Sequence, residues 1–535
     1  MSGLQQAKTA PCQAACPAGV DVPRYVRHIR DGRFLEALAV VRERIPFPLV
    51  CGYACLHPCE SKCARQQLDA PVAIRMLKRV VAEQGQHDAV PLARLAVTGR
   101  KAAVIGAGPC GLTAAFYLAL QGHEVTVFEA LERSGGMLRF GIPAYRLPES
   151  VIDADIRVIE RSGVKIQTGT RVASAEALLQ DGFGTVLIAS GAWRSVKLGI
   201  PGEDAAHVVD GLTFLKQVNT GAAPKPGARV VVIGGGNTAI DAARASRRLG
   251  AQVTQLYRRS RPEMPAAEEE IADAIAEGVR IEYLCAPVRV NQGGVTCVRM
   301  ALGVADESGR PRPLPVAGSE YTISADTVIV AIGQQVELPA SSVVQETNRT
   351  ARVETQTLAT SVHGIFAAGD AVLGPASIID AIAQGRTAAS AMDRFLGGSG
   401  IIDRPTASAV ASEVAPAMPH GTPRNVWQTL PLAQRQDGFA LVEQAYDKQT
   451  ARHEAMRCLS CDRVAFDVEV NPVVCKDCGY CQEVCRLDVF ERSEEFNASG
   501  YQSAVATRAE RCVGCLNCLY ICPDFAITLT QRTAV

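Results

Sequence analysis

The chain has 535 residues, of which 47% are hydrophobic and 19 are cysteine, and its 55 Lys plus Arg balance 55 Asp plus Glu. That length builds several domains with cores of their own, and the balanced charge leaves no global field to draw nucleic acid or an anionic membrane surface. No apolar run approaches a membrane span and the opening MSGLQQAKTAPCQ carries no apolar signal core, so the sequence reads as a cytoplasmic protein whose cysteines serve metal clusters before disulfides.

Residues 1–98 read as a helical domain threaded by cysteines. After Cys12 and Cys16, Asp21 can cap and Pro23 can start a helix with Tyr25, Val26 and Ile29 on one face, and Gly32 breaks it. His28 on that helix reads as a surface residue. A second amphipathic stretch runs through Phe34, Leu35, Leu38 and Val41 to Pro46. The row Cys51, Cys55, Cys59 and Cys63 follows, then a helix over PVAIRMLKRVVAEQ and a polar stretch to Gly99.

From Lys101 the pattern becomes strand, turn, helix, strand. AAVI runs into Gly106, Gly108 and Gly111, and a later strand EVTVF ends at Glu129. In such a dinucleotide loop the first glycine makes the turn, the second admits a pyrophosphate and the third lets the helix pack on the strand. The acidic residue then accepts from the ribose hydroxyls of an adenosine. Cys110, inside the loop, reads as a packed thiol. A second copy places Gly234, Gly236 and Ala239 after VVVI, with Asn237 and Thr238 in the same loop. Here the strand VTQLY ends in Arg258 and Arg259, which suit a 2′-phosphate and favour NADPH over NADH; the competing reading is a solvated turn. Cys285 and Cys297 beyond this unit read as structural.

In IFAAGDAVLGPASIIDAIAQGRTAA a strand ends at Gly369 and Asp370 and a helix begins near Ala376. A carboxylate there can bond the ribityl-phosphate chain of a flavin, and the helix N-terminus offers its positive end. Two dinucleotide units, one inserted into the other, point to FAD on the first and NADPH on the second. The expected domains are FAD-binding residues 99–222 and 325–397 around an NAD(P)H-binding segment 223–324. No cysteine lies between Gly111 and Gly234, so the dithiol of a flavin disulfide reductase is missing.

A Pro- and Ala-rich linker over 398–453 leads to a tail, 454–535, with two runs of C-x2-C-x2-C-x3-C spacing. Three thiolates on such a loop cap three corners of a 4Fe-4S cube, and the fourth cysteine reaches the neighbouring cube. Cys475, Cys478, Cys481 and Cys522 are therefore expected to hold one cluster, and Cys512, Cys515, Cys518 and Cys485 the other. Zinc knuckles and disulfides are the competing readings. Arg486 stands where the motif has proline.

The motifs CQAACPAGVDVPRYV, VCGYACLHPCESKC, PVAIRMLKR, VIGAGPCGLTAA, GGMLRFGIPAYRLP, VVVIGGGNTAIDAARASRRLG with YRRSRPEMPA, and AAGD together resemble the small subunit of bacterial glutamate synthase and the matching part of dihydropyrimidine dehydrogenase. The resemblance covers residues 11 to about 395 and then the ferredoxin-like tail. It implies an α/β flavin-disulfide-reductase-like double Rossmann core behind an N-terminal α-helical iron-sulfur domain, here followed by a C-terminal α+β ferredoxin-like domain for two 4Fe-4S clusters. It also implies flavin contacts at Gly136 and Leu138. In that family NADPH reduces FAD, and N-terminal 4Fe-4S clusters carry single electrons onward.

The family's N-terminal segment opens with a motif of the type EAxRCLxC, and this chain lacks it there. EAMRCLSCD appears instead at Glu454 to Asp462. The expectation is that Cys458 and Cys461 join Cys12 and Cys63 around one cube, leaving Cys16, Cys55 and Cys59 for a second. The alternatives are zinc or buried thiols. The second cube's fourth ligand stays open between Cys51 and a non-cysteine group, because relatives offer Gln or Glu where this chain has Lys78, and an ammonium cannot coordinate iron. Four 4Fe-4S clusters result.

Three functions compete. The first is an NADPH-dependent oxidoreductase passing electrons between NAD(P)H, FAD and the clusters, to or from ferredoxin or a catalytic subunit of a hetero-oligomer. The second is a glutamate synthase small subunit, and the third a redox sensor or scaffold without turnover. No side chain is needed as acid or base in a hydride step.

Overall fold

The computed structural model describes residues 9–85, 90–222, 224–305, 309–403, 418 and 421–533. The reading of the opening residues 1–8 and of linker residues 404–417 and 419–420 lies outside them. No helix among the described residues is long and apolar enough to cross a membrane.

The N-terminal domain is helical. Helix Val22–Arg30 starts as its sequence dictates, with the Asp21 carboxylate accepting from the Arg24 N–H at 3.1 Å and proline in the first turn. Helices Phe34–Arg42 and Ile74–Gln84 pack on it, and Pro48–Ala54 packs on Ile74–Gln84. A Cβ on Gly52 would stand 2.6 Å from the Arg79 Cα, so helices Pro48–Ala54 and Ile74–Gln84 meet backbone to backbone there. His28, read as a surface residue, is in fact buried, 3% exposed. The physical reason is local: Arg24, Asp31, Arg33 and Glu36 are the charged groups that act on it, which places it against the turn into helix Phe34–Arg42.

Two five-stranded parallel sheets form the centre. The first runs Ile365–Ala367, Thr185–Ile188, Lys101–Ile105, Glu124–Phe128, Lys165–Gln167. Its middle strand buries Ala102 to Ile105 without alternation, as a parallel strand covered on both faces must. Helix Ile378–Phe395 crosses helix Pro109–Leu120 so closely that a Cβ on Gly385 would meet the Cys110 carbonyl oxygen at 2.4 Å.

The second sheet runs Val208–Asp210, Thr327–Val330, Arg229–Ile233, Gln252–Tyr257, Arg280–Tyr283. Two of its strands, Val208–Asp210 and Thr327–Val330, come from outside the expected 223–324, so this unit draws on chain from both flanks. An antiparallel leaf, Cys285–Asn291, Gly294–Ala305, Pro311–Pro315 and Tyr321–Ser324, extends from it.

Residues 421–462 run as a strap across these units. Arg435 pairs with Asp273 at 3.0 Å on the second unit, the Phe439 ring stands 6.3 Å from that of Tyr145 on the first, and Glu443 takes both Arg75 Nη atoms at 2.8 and 2.9 Å on the helical domain. Beyond it, Val464–Val470 pairs antiparallel with Ile527–Thr533, and a hairpin, Glu491–Phe496 with Gln502–Val505, closes a small core around Val489 and Phe490.

Candidate functional site: one nucleotide cavity and four thiol groups

A single cavity of about 1560 Å³ is lined by both glycine loops, by Glu129 of the first unit and by Arg258 and Arg259 of the second. The glycines divide their tasks identically in the two loops. A Cβ on Gly106 would lie 2.4 Å from the Ala189 carbonyl oxygen and one on Gly234 2.1 Å from that of Ala331, so each turn tolerates only glycine. At Gly108 and Gly236, which line the cavity, a Cβ would meet nothing within 4 Å, and it would fill the space a phosphate needs. Gly111 and Ala239 sit behind the loops against the strands, where a Cβ on Gly111 would strike the Gly106 carbonyl oxygen at 2.1 Å and the Ala239 side chain is fully buried.

Glu129 is held at its strand end: Oε2 accepts from the Ala107 N–H at 2.8 Å and Oε1 from the Leu131 N–H at 2.9 Å. Gly136 and Leu138 line the same cavity, with a Gly136 Cβ only 2.9 Å from the Gly108 Cα. Asp370 faces the cavity beside the first turn of helix Ile378–Phe395, which Ser377 and Asp380 close with a reciprocal cap. Gly369, at φ 68°, would carry a Cβ 3.0 Å from the Cys110 Sγ, and that thiol is buried and packed beneath the loop.

Burial pushes the Asp370 carboxyl up from 3.8 to about 6, against one hydrogen bond from the Ala376 N–H. Because the folded value is raised, its contribution to the cofactor-free protein is fully present below about pH 4 and is lost as pH rises through 6. Asp370→Asn is expected to remove that decline in denaturant midpoint between about pH 4 and pH 6. An unchanged decline would assign it to other groups.

At the second loop the Asn237 Oδ1 accepts from the Ala267 N–H at 3.1 Å, which ties the loop to the next turn, while Thr238 lines the cavity. Arg259 is buried with Nε donating to the Pro311 carbonyl at 2.8 Å; Arg258 is exposed to the cavity. Arg310, Trp193 and Lys216 also line it, the last two around the Phe140 ring at 6.0 and 5.8 Å. Sequence reasoning missed these three, which come from separate elements and share no spacing.

The thiols gather in four groups. Cys12 is buried, and after desolvation the charges acting on it are those of Cys458, Cys63, Cys461 and Cys59. Cys16, Cys51, Cys55 and Cys59 lie near the buried Lys78. In the tail one hollow is lined by Cys475, Cys478, Cys481 and Cys522, and another by Cys485, Cys512, Cys515 and Cys518, so each run lends its fourth cysteine to the other. Cys59 neighbours both N-terminal groups; counted with Cys16, Cys51 and Cys55 it leaves four thiols in each group, the donor chemistry of an iron-sulfur cube. Among the described residues no three His, Cys, Asp or Glu are placed to hold a single metal ion.

A buried ionic network seats EAMRCLSCD in the N-terminal domain. Glu454 and Arg457 are both 0% exposed. Glu454 accepts from the Ala73 N–H at 2.9 Å, the Asn425 N–H at 2.9 Å and Arg457 Nη1 at 2.7 Å. Arg457 Nη2 reaches the Asp69 carboxylate at 2.8 Å and the Ala70 carbonyl at 2.6 Å, and Arg27 holds Asp462 through two bonds of 2.7 Å.

The groups follow one another outward from the cavity. Ala54 and Leu56, on either side of Cys55, line the nucleotide cavity, and Cys59 is a neighbour of Cys12. Cys461 shares a further cavity of about 490 Å³ with Leu487 and Cys512 of the tail.

Residues 92–385 match the family model for pyridine nucleotide-disulphide oxidoreductases, residues 4–90 that for dihydropyrimidine dehydrogenase domain II, 4Fe-4S cluster, and residues 474–526 that for the 4Fe-4S dicluster domain. The chain is 41% identical over 505 residues to the beta subunit of an NADP(+)-dependent formate dehydrogenase from Moorella thermoacetica, covering 86% of this chain and 71% of that protein. It is 41% identical over 432 residues to the beta subunit of an NADPH-Fe(3+) oxidoreductase from Geobacter sulfurreducens, covering 72% and 64%. It is 34% identical over 413 residues to the small chain of glutamate synthase [NADPH] from Azospirillum brasilense, covering 72% and 86%. The chain thus spans less than two thirds of the Geobacter protein's length. With both glycine loops on one cavity and thiol groups on either side of it in sequence, the chain belongs to the pyridine nucleotide-disulphide oxidoreductase family, flanked by 4Fe-4S domains.

Proposed function

We propose that the protein is an NADPH-dependent flavin and iron-sulfur oxidoreductase, a cytoplasmic electron-transfer subunit of a hetero-oligomer that exchanges electrons with ferredoxin or a catalytic partner. The observation that carries this reading is one cavity lined by both glycine loops, Glu129 and Arg258, and walled also by Ala54 and Leu56, the residues either side of Cys55. FAD bound there supplies the exchange between a hydride and single electrons, and four 4Fe-4S clusters supply the one-electron carriers.

The chain's own residues bind and orient. The N–H groups around Gly106, Gly108 and Gly136 take the first dinucleotide's phosphates, with Leu138 against it and Glu129 accepting from its ribose. Gly369 brings Asp370 to the middle of the same ligand. Gly234, Gly236, Asn237 and Thr238 cradle the second pyrophosphate, Ala239 packs the loop, and Arg258 and Arg259 take the 2′-phosphate. Trp193, backed by the buried Phe140, lines the cavity and keeps water from the space between the two nucleotides. Cys12, Cys63, Cys458 and Cys461 form one cluster site, Cys16, Cys55 and Cys59 belong to the next, and the two tail sites complete the set.

Anaerobic purification with iron analysis, followed by NADPH and NADH titration watched by flavin bleaching and EPR, tests this. About sixteen irons per chain and rapid bleaching by NADPH are expected, whereas fewer than about twelve would contradict the four clusters. Arg258→Ala is expected to raise the KM for NADPH about tenfold, the loss of one charge-assisted contact, and to leave that for NADH unchanged. Equal effects on both coenzymes would remove Arg258 from 2′-phosphate recognition.

A further inference from the structure

We infer that Cys51 is the fourth thiolate of the group formed by Cys16, Cys55 and Cys59, and that Lys78 is a fixed positive counter-charge that raises the reduction potential of the cluster held there. The inference rests on the four-cluster reading above and concerns the group next to the nucleotide cavity.

Placement comes first. Helices Pro48–Ala54 and Ile74–Gln84 touch at Gly52 and Arg79, and the residues immediately before these on each helix are Cys51 and Lys78. Cys51 is 0% exposed and Lys78 5%. Cys55, Cys51, Cys59 and Cys16 are the thiols near Lys78, and Cys51 in turn has Cys55 and Cys16 as neighbours. Each of the four thiols therefore has the ammonium as a neighbour, and Cys51 stands within the same set as the other three.

The other cations of the helix are served differently. Arg75 holds Glu443 through two bonds, and Arg79 holds Glu83 at 2.7 Å while its guanidinium lies 3.8 Å from the Tyr53 ring centre. Among the described residues Lys78 has no carboxylate ion pair. The two carboxylates nearest this group are engaged elsewhere. Glu60 accepts from the Arg75 N–H at 2.8 Å and from Arg424 at 2.6 Å, and Asp155 accepts from the Val50 N–H at 2.9 Å. A buried ammonium with no carboxylate is expensive unless another anion faces it. A thiolate-ligated cube is that anion.

Chemistry separates the two roles. An ammonium has three donors and no lone pair, so it cannot ligate iron, whereas the Cys51 thiolate can. A cation fixed beside a cluster favours the state with one more electron, because cluster potential follows local charge.

The test uses the whole protein, purified anaerobically, with iron analysis and EPR-monitored redox titration of wild type, Lys78→Met, Lys78→Arg and Cys51→Ala. Lys78→Met is expected to keep the wild-type iron content and to move the midpoint of one cluster downward, leaving the others in place; Lys78→Arg is expected to restore it. Cys51→Ala is expected to lose one cluster, about four irons, or to show a three-iron signal in its place. Unchanged midpoints in Lys78→Met would overturn the counter-charge. A full iron complement in Cys51→Ala, or loss of one cluster in Lys78→Met but not in Cys51→Ala, would overturn the ligand assignment. Wild-type protein with fewer than about twelve irons would overturn the four-cluster reading itself, and wild type with about sixteen isolates a failure to these two residues.

Discussion

Replacing Cys458 with serine is expected to remove one cluster, about four irons, from the anaerobic protein while both tail clusters stay filled. Cys458 lies among Cys12, Cys63 and Cys461, in a segment anchored by Glu454 and Arg457 rather than by any tail residue. NADPH should still bleach the flavin in this variant, because the nucleotide cavity is untouched. Reduction of the tail clusters by NADPH should fail, since the missing site stands between Cys55 and Cys512. Iron analysis with EPR before and after NADPH reads both effects. Iron loss confined to the tail pair, with the N-terminal clusters intact, would overturn the shared site.

Glu454→Ala is expected to give the largest loss of stability of any single change proposed. It leaves the Arg457 guanidinium, 0% exposed, without one of its two carboxylates, and it strips the acceptor from the Ala73 and Asn425 N–H groups. Breaking a buried pair in this way costs about 3–5 kcal/mol. The effect should be local, because the tail domain has a separate core. Hydrogen exchange is expected to accelerate in residues 69–74 and 448–462 and to stay unchanged in the hairpin of Glu491–Phe496. Glu454→Gln, which keeps an acceptor, should show a smaller change. Acceleration in the tail with residues 69–74 still protected would show that the segment is anchored elsewhere.

The glycine loops were legible in the sequence because everything that defines them is local: a strand, a turn that forbids a Cβ and a helix, within a few residues of one another. The exchange of fourth cysteines between the tail runs was legible for the same reason, since spacing alone dictates it. The burial of His28 was not, because spacing along one helix does not say that the turn through Arg33 folds helix Phe34–Arg42 back against it. The short strands Val208–Asp210 and Thr327–Val330 carry too few residues for periodicity to place them in the second sheet. Arg310, Trp193 and Lys216 meet only in three dimensions. The seating of EAMRCLSCD could be anticipated only by resemblance to proteins that carry the motif at the other end, and its anchors, the Asp69 carboxylate and the Asn425 N–H, left no trace in spacing.

The pairing of Arg27 with Asp462 joins residues 435 positions apart, and that separation sets a timetable. At 5–20 residues per second, about 20 to 90 s pass between the ribosome's making the first partner and the second. For that interval the N-terminal helices hold Cys12 and Cys63 without the two cysteines that complete their group. Whatever loads iron must either wait for Cys458 and Cys461 or fill this position after release, so this site is built long after its neighbour at Cys16, Cys55 and Cys59, and only the two tail sites, which need Cys518 and Cys522, come later.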